Sequence, residues 1–332
     1  MRADQLDFGF GIVSASRLPS NGGRREAPAP GCTCLNDRGE EHTLLAPDHD
    51  GELRTVHAWL DQQPYLPQVI GDAVEDAIYY VLDGARTHRF DVLDERVDSD
   101  ERRGIGTKLQ YHVLENLKLP KLRHPDTEIA GVGVEIKGTI TRNWTIPKEG
   151  QCGVTLLIRL DVERDRQTAW LMRTHRAWLR DGANNDGKRG IMANAFQQYA
   201  IQLYPWSQLR LNPLKLLNDS QLAAVFSNEG QEVRLAHLFH ALPTVVIPRA
   251  VILTVCAGRQ DPLRRTRAVR ERVRPSGLEL LCGVWTAQRN LAERLGHDLT
   301  GGAWVAVPSA AIRGHGALTE KVMAELGLVL TL

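Results

Sequence analysis

The sequence predicts a two-domain α/β protein, with a mixed β-sheet flanked by helices and then a helix-turn-helix unit with a β wing. In the first half, apolar spacing predicts two helices before a hairpin and two strands, an order typical of a mixed sheet with helices against it. These elements lie at 68–82, 106–118, 126–140, 152–160 and 168–175. In the second half the pattern predicts two short helices and two strands, at 219–226, 231–242, 250–256 and 278–283.

The bulk composition is that of an ordinary globular protein. The chain has 332 residues, which is enough for two domains. Of these residues 42% are hydrophobic and 24% are charged, as in most globular proteins. No run of about 18 apolar residues is present, so a transmembrane helix is not expected. We see no secretory signal at the N-terminus, and we expect a cytoplasmic protein without a membrane partner.

The five cysteines are odd in number and include no C-x-x-C pair. This pattern predicts neither a disulfide framework nor a zinc site. Cys32 and Cys34 are too close in sequence for an ordinary bridge, and we interpret them as a chance pair on the surface.

Composition and turn residues predict three regions. Residues 1–50 are rich in Gly and Pro and are expected to form a loosely ordered arm, with one strand at 6–12. Residues 51–205 are expected to form the first domain, closed by a helix at 191–204 and ended by Pro205. Residues 206–332 are expected to form the second domain, which contains the helix-turn-helix unit.

Local signals refine the helices. A short helix is predicted at 53–60, and Asp83-Gly84 ends the helix at 68–82. The residues at 98–103 are expected to form a charged loop. Asp219 is the expected N-cap of the helix that follows it.

The stretch from Pro125 to Lys137 carries the clearest chemistry. Val134 and Ile136 alternate with Glu135 and Lys137, which predicts a half-buried strand with both charges on one face. A two-residue turn at 130–131 would place Asp126 opposite Glu135, about 5 Å away. Two carboxylates at this distance can share one Mg²⁺, with the Ile136 carbonyl as a further ligand.

This spacing matches the Asp…(Asp/Glu)-x-Lys signature of the restriction-endonuclease-like nucleases. Asp126, Glu135 and Lys137 occupy its three positions. The same short pattern also occurs on the solvated face of an ordinary hairpin, so the pattern by itself leaves both interpretations open.

Basic residues are concentrated in the second half. From Trp206 onward there are 15 Lys and Arg against 10 Asp and Glu, whereas the remainder has 26 against 30. Seven arginines fall within 259–274, and a guanidinium can fork onto phosphate oxygens. The alternative is a solvated helix face. The candidate DNA contacts are Arg249, Arg259, Arg264, Arg265, Arg267 and Arg270.

Several separate segments, in order, resemble the NaeI family of type II restriction endonucleases from about residue 67 to about residue 283. They are Leu82–Phe90, Gly106-Thr107, Asp126–Gly131 with Val134–Lys137, Ala169-Trp170 and Arg249–Val255. The resemblance implies a restriction-endonuclease-like domain followed by a winged-helix domain. It also implies Mg²⁺ as cofactor, and a homodimer that binds two copies of a palindromic DNA site, one of them as effector.

The resemblance assigns metal binding to Asp126 and Glu135 and a catalytic role to Lys137. It further places Gln110 where the family has a glutamate, which an amide replaces without its charge. Glu115 is the nearest acidic substitute, five residues further along, where it faces another side of the helix.

The expected function is Mg²⁺-dependent, sequence-specific cleavage of double-stranded DNA. Two alternatives stay open at this point. One is a DNA-binding regulator with an inactive nuclease domain, which Gln110 favours. The other is a repair or mobile-element nuclease on the same core.

Overall fold

The computed structural model describes residues 26–314 together with Val322 and Leu326. The strand expected at 6–12 lies outside this part of the chain. Two short strands, β1 (Thr33–Leu35) and β2 (Glu41–Thr43), come first and pair antiparallel. The helices that follow are α1 (Gly51–Asp61), α2 (Leu66–Leu82), α3 (Gly84–Thr87) and α4 (Ser99–Asn116).

A five-stranded mixed sheet forms the centre of the first half. Its strands are β3 (Thr127–Ile129), β4 (Val132–Thr139), β6 (Val154–Asp161), β7 (Arg166–Arg173) and β10 (Ile201–Gln208). They lie in the order β10-β7-β6-β4-β3. Strands β4 and β6 run parallel and the other neighbours antiparallel, which confirms the predicted mixed sheet.

Alternate residues of the central strands serve two separate hydrophobic cores, as the two-residue period of a strand requires. Leu156 and Ile158 pack with α1, α2 and α4 on one face. Leu157 points to the other face, where Trp144 and Trp178 are buried. The sheet is therefore covered on both sides.

The second face is built from smaller elements. A three-stranded sheet orders its strands β5-β9-β8, and a short helix follows it. The elements are β5 (Thr145–Ile146), β8 (Leu179–Ala183), β9 (Arg189–Ile191) and α5 (Ala193–Tyr199). A turn at 184–187 connects β8 to β9.

Helix α4 begins earlier than predicted. The charged residues at 99–103 are its first turns and not a loop. The Asp98 side chain accepts hydrogen bonds from the N–H groups of Asp100 and Glu101, and the Glu101 side chain accepts from the Asp98 N–H. This capping box satisfies N–H groups that the helix leaves free, so the helix starts seven residues upstream of Gly106.

The second half of the predicted loosely ordered arm is folded against the sheet. Cys34 and Leu44 are buried, and the hairpin of β1 and β2 is held to the sheet by Asp37. Asp37 pairs with Arg176 at 3.0 Å and with Arg189 at 2.6 Å. A hydrogen bond from Arg189 holds the pKa of Asp37 well below its usual range, against the effect of partial burial.

The helix expected at 191–204 is wrong beyond Tyr199. The chain continues as β10, the edge strand of the sheet, which contains Pro205. Proline lacks the N–H that an inner strand needs but is tolerated at an edge, and the pairing with β7 shifts between Tyr204 and Ser207. The first half therefore continues past Pro205 at least to Leu209, which packs in its core.

The second half contains helices around a two-stranded antiparallel sheet. The helices are α6 (Asp219–Val225), α7 (Gln231–Ala241), α8 (Arg249–Val255), α9 (Pro262–Ala268), α10 (Arg270–Val273), α11 (Thr286–Arg294) and α12 (Ser309–Gly314). The strands are β11 (Leu278–Cys282) and β12 (Trp304–Pro308). Helix α11 lies in the connection between them, and the N-cap of α6 is Asn218 instead of Asp219.

The strand expected at 250–256 is wrong, because these residues form α8. Val251, Ile252 and Val255 are fully buried at helical spacing. The helix also carries the contact between the two halves, since the His88 ring nitrogen Nδ1 lies 3.1 Å from the Thr254 carbonyl oxygen. Phe90 stacks on Phe226, with ring centroids 5.9 Å apart. Tertiary packing therefore overrides the strand propensity of this β-branched segment.

No helix in the described part of the chain is long and apolar enough to cross a membrane.

Candidate active site

The turn between β3 and β4 sets the register of the hairpin. Ala130 and Gly131 both have positive φ, 50° and 82°, as a tight two-residue turn requires. Ile129 pairs with Val132 and Thr127 with Val134, as predicted from the sequence. Asp126 directly precedes the last paired residue of β3, and Glu135 directly follows Val134.

Asp126 is only 8% exposed, and it is held by donors on three sides. Its Oδ2 accepts a hydrogen bond from the Ile136 N–H at 2.9 Å. Its Oδ1 accepts from the amide of Gln110 and from Lys121 Nζ, the latter at 3.2 Å. The carboxylate is therefore fixed in orientation before any ligand binds.

Glu135 and Lys137 form the other half of the cluster. Lys137 Nζ lies 2.5 Å from Glu135 Oε1 and 3.8 Å from Asp126 Oδ2. Glu135 is 5% exposed. Gly150 lies against it, and a Cβ at that position would be 3.3 Å from Glu135 Cγ. One ammonium group thus bridges two nearly buried carboxylates.

Helix α4 reaches the cluster because two glycines allow it to approach β4 closely. A Cβ on Gly106 would lie 2.5 Å from the carbonyl oxygen of Gly138, and one on Gly138 would lie 3.0 Å from Gly106 Cα. Gln110 is one helical turn after Gly106, on the same side of the helix. The close contact therefore brings the Gln110 amide over Asp126.

Glu115 lies elsewhere. It lines a separate pocket with Asp76, Tyr79 and His112, between α2 and α4. Of the two side chains considered for the fourth position, the structure brings Gln110 to Asp126 and leaves Glu115 on another side of the helix.

A cleft of about 470 Å³ opens beside the cluster. Gln110, Ile136 and Lys137 form part of its wall, and Arg103 and Lys188 add positive charge. A cleft lined by basic side chains suits a substrate that carries negative charge, and Lys137 connects this cleft to the two carboxylates.

The donor set fits a hard divalent cation. Asp126 and Glu135 offer carboxylate oxygens, and their negative charges are already shared by the ammonium of Lys137. Mg²⁺ is usually bound by one or two carboxylates and completes its shell with water and phosphate oxygens. The cleft leaves room for both. Ile136 lines the cleft, and its N–H is used by Asp126.

The six candidate DNA-contacting arginines do not share one environment. Arg249, Arg264 and Arg267 line a groove between α8, α9 and the β11–β12 sheet, which we call the basic groove. Arg259 is also exposed. Arg265 is exposed and paired with Glu232 at 3.1 Å.

Arg270 is different, because it is only 8% exposed. Its Nη2 donates to Gln288 Oε1 at 2.8 Å, and its guanidinium lies over the rings of Trp285 and Trp304. This side chain packs the interior of the second half, so a direct contact between Arg270 and a DNA phosphate would require it to leave the core.

Two groups of residues were not anticipated from the sequence. Lys121 contacts Asp126. Its position shortly before Asp126 in the sequence is the signal that could have identified it. Cys34, Cys152 and His175 lie together and buried on the second face of the sheet. No local pattern connects these three, because each belongs to a different segment.

Comparison with known proteins identifies the family of the chain. The family model of the restriction endonuclease NaeI matches residues 55–317, which is most of the chain. No curated protein matches the chain. The matched span contains the carboxylate cluster, the cleft and the basic groove. The chain therefore belongs to the NaeI family of restriction endonucleases, which are type II nucleases that act on DNA.

Proposed function

We propose that the protein is a Mg²⁺-dependent endonuclease that cuts both strands of DNA at a specific sequence. One observation carries the proposal: two nearly buried carboxylates, Asp126 and Glu135, share the ammonium of Lys137 at the wall of a basic cleft. Burying charges costs free energy even when they are paired, and clusters of this kind are concentrated at functional sites.

Asp126 and Glu135 would hold the cation, with the Ile136 carbonyl as a third protein ligand. When bound, Mg²⁺ supplies charge stabilisation at the scissile phosphate and a more acidic water. Asp126 is oriented for this role by the Ile136 N–H and by Gln110. Lys121 would help to draw the phosphate towards the site, since 42% of its side chain is exposed.

Lys137 would act on the reacting atoms. Its Nζ is close to both carboxylates, so a water beside the cation would lie within its reach. The amine can help to remove a proton from that water, or as an ammonium stabilise charge that develops on the phosphate. Gln110 would orient the water through its amide, without adding charge.

The second half would act as a winged-helix DNA-binding domain. Helices α6 and α7 are consecutive and in contact, and β11 with β12 provides the wing. The basic groove offers three exposed guanidinium groups for phosphates. The observed connection between the strands carries α11 and is longer than that of a simple hairpin.

The family resemblance extends the proposal to a homodimer in the cytoplasm that binds two copies of a palindromic site, one cleaved and one as effector. Cleavage of plasmids that carry one or two sites, at equal site concentration, tests the effector part. We expect faster cleavage of the two-site plasmid. Equal rates would remove the effector from the proposal and leave the nuclease.

A second candidate function is a DNA-binding regulator with an inactive nuclease domain. The observation that favours it is Gln110, since an amide stands where the family has a carboxylate. A repair or mobile-element nuclease on the same core is a third candidate, and it would cut structured DNA instead of a defined sequence.

Incubation of the protein with plasmid DNA, phage DNA, and branched or damaged DNA separates these functions. With Mg²⁺ we expect discrete fragments, and with a chelator none. Retained DNA binding without cleavage of any DNA would support the regulator. Cleavage confined to branched or damaged DNA would support the third candidate.

A further inference from the structure

Three buried side chains with metal-binding atoms meet on the face of the sheet opposite α4. They are Cys34 in β1, Cys152 just before β6 and His175 just after β7, and they are 5%, 4% and 1% exposed. One ligand atom from each lies within 4.8 Å of the others. The cluster is separate from the carboxylates of the candidate active site.

The distance between the two sulfur atoms is close to that of a metal site. Cys34 Sγ and Cys152 Sγ are 3.6 Å apart. Two thiolates bound tetrahedrally to Zn²⁺, at about 2.3 Å each, are about 3.8 Å apart. The two thiols can therefore bind such an ion with little movement of the backbone.

His175 supplies an independent observation. Neither of its ring nitrogens has a hydrogen-bond partner among the described residues, although the side chain is buried. Buried polar atoms of native proteins are nearly always satisfied, and an orphaned imidazole points to a ligand that it would bind. Its ring packs edge-on against Trp178, with centroids 4.8 Å apart, which restricts the directions in which the nitrogens can point.

We propose that Cys34, Cys152 and His175 bind one Zn²⁺ ion, with a water at the fourth position. Sulfur and imidazole ligands favour zinc over the hard cation of the carboxylate site. Binding releases two thiol protons to solvent, and the two thiolates neutralise the charge of the ion. These three side chains indicate the site whether or not the proposed nuclease activity is correct.

The ion would fasten the N-terminal hairpin to the sheet behind the active site. Cys152 N–H donates to the Thr174 carbonyl at 2.9 Å, and the Thr174 hydroxyl donates to the Gly150 carbonyl at 3.0 Å. Gly150 lies against Glu135. A metal held by Cys34, Cys152 and His175 would thus support the wall on which one carboxylate rests.

The test is metal analysis of the full-length protein, followed by exchange of zinc for Co²⁺. We expect about one zinc per chain and, after exchange, a thiolate-to-cobalt charge-transfer band. Carboxylate ligands give no such band, so the Mg²⁺ site cannot produce it. Cys34→Ser and Cys152→Ser should weaken or remove the band. Cys32→Ser, a change at the exposed neighbour, and Asp126→Asn should leave it unchanged.

Alkylation of the folded wild-type protein gives a measurement that does not depend on the folding of variants. With Co²⁺ bound, Cys34 and Cys152 should react more slowly than in the apoprotein, while Cys32 should react equally in both. Absence of a thiolate band at stoichiometric Co²⁺ would overturn the proposal. So would one equivalent of copper in place of zinc, or a Cys34–Cys152 disulfide in the freshly purified protein.

Discussion

Gly106 of α4 lies so close to Gly138 of β4 that a Cβ on Gly106 would be 2.5 Å from the Gly138 carbonyl oxygen. The obstacle is backbone, which cannot turn aside as a flexible side chain can. The pair sets the distance between helix and sheet, and through it the place of Gln110 beside Asp126. The two glycines therefore determine where the Gln110 side chain lies.

Gly106→Ala should lower the free energy of unfolding by about 1–3 kcal/mol, the usual cost of overpacking. Thermal denaturation measures it. Gly104→Ala is the matched control in the same helix, because its Cβ would meet only Val81 Cγ2, at 3.8 Å. Alanine should be neutral or slightly stabilising there. Equal effects of the two changes would contradict the close contact.

Gln110→Glu should make stability depend more strongly on Mg²⁺. Without the cation, a second carboxylate would replace the amide that donates to Asp126, and we expect a loss of about 1–3 kcal/mol. Binding of Mg²⁺ would then restore more stability than in the wild type. Melting temperatures with and without Mg²⁺ measure this, and Glu115→Gln is the control on another side of α4. An unchanged Mg²⁺ response in Gln110→Glu would argue against Gln110 facing the metal.

Asp37 should make the stability of the β1–β2 hairpin depend on pH. Its pKa is lowered in the folded state, chiefly by the hydrogen bond from Arg189, with Gln151 and Arg176 as further donors. A carboxyl with a lowered folded pKa stabilises the fold above its unfolded pKa, and the contribution is lost as the pH falls below that value. Stability should therefore fall as the pH drops below about 4, the ordinary range of an aspartate.

Asp37→Asn should remove this part of the acid dependence and cost about 1.5–3 kcal/mol at neutral pH. Chemical denaturation at several pH values measures both effects. Asp48→Asn is the control, since 76% of the Asp48 side chain is exposed. If Asp37→Asn leaves the pH profile unchanged, the ion pairs with Arg176 and Arg189 do not hold the hairpin.

The candidate arginines should fall into two groups, those that bind DNA and one that stabilises the fold. Arg264→Ala and Arg267→Ala should weaken DNA binding, and each should lower the slope of affinity against salt by about 1 if its guanidinium neutralises one phosphate. Arg289→Ala, an exposed change on α11 outside the basic groove, is the control. Fluorescence anisotropy at several salt concentrations measures the slopes, and unchanged slopes would exclude the basic groove as the surface that binds DNA.

Arg270→Met should instead lower stability, by about 1–3 kcal/mol, since it removes the buried hydrogen bond to Gln288. Its salt slope, measured on the folded variant, should match the wild type. A reduced slope with normal stability would show that Arg270 reaches DNA after all.

The features that the sequence predicted correctly are those determined by nearby residues. The turn at Ala130-Gly131 was enough to set the register of the hairpin, in which Ile129 pairs with Val132. The start of α4 also has a local signal in the sequence, because Asp98 and Glu101 have the spacing of a capping box.

The errors concern features that depend on distant contacts. The β-branched residues of α8 have strand propensity, and only packing within the second half makes them a helix. Cys34 and Cys152 are 118 residues apart in sequence, so their contact has no local signal. The close approach of Gly106 to Gly138 is likewise visible only in three dimensions.

Lys137→Ala offers the most direct test of the proposed active site. The change removes the group that bridges Glu135 and Asp126, and the removal of such a catalytic group should slow cleavage by about 10²–10⁴-fold. DNA binding, measured with Ca²⁺ in place of Mg²⁺, should stay within a few-fold of wild type. Lys118→Ala, an exposed change on the same half, should leave both unchanged. Cleavage of plasmid DNA by Lys137→Ala at the wild-type rate would contradict the account.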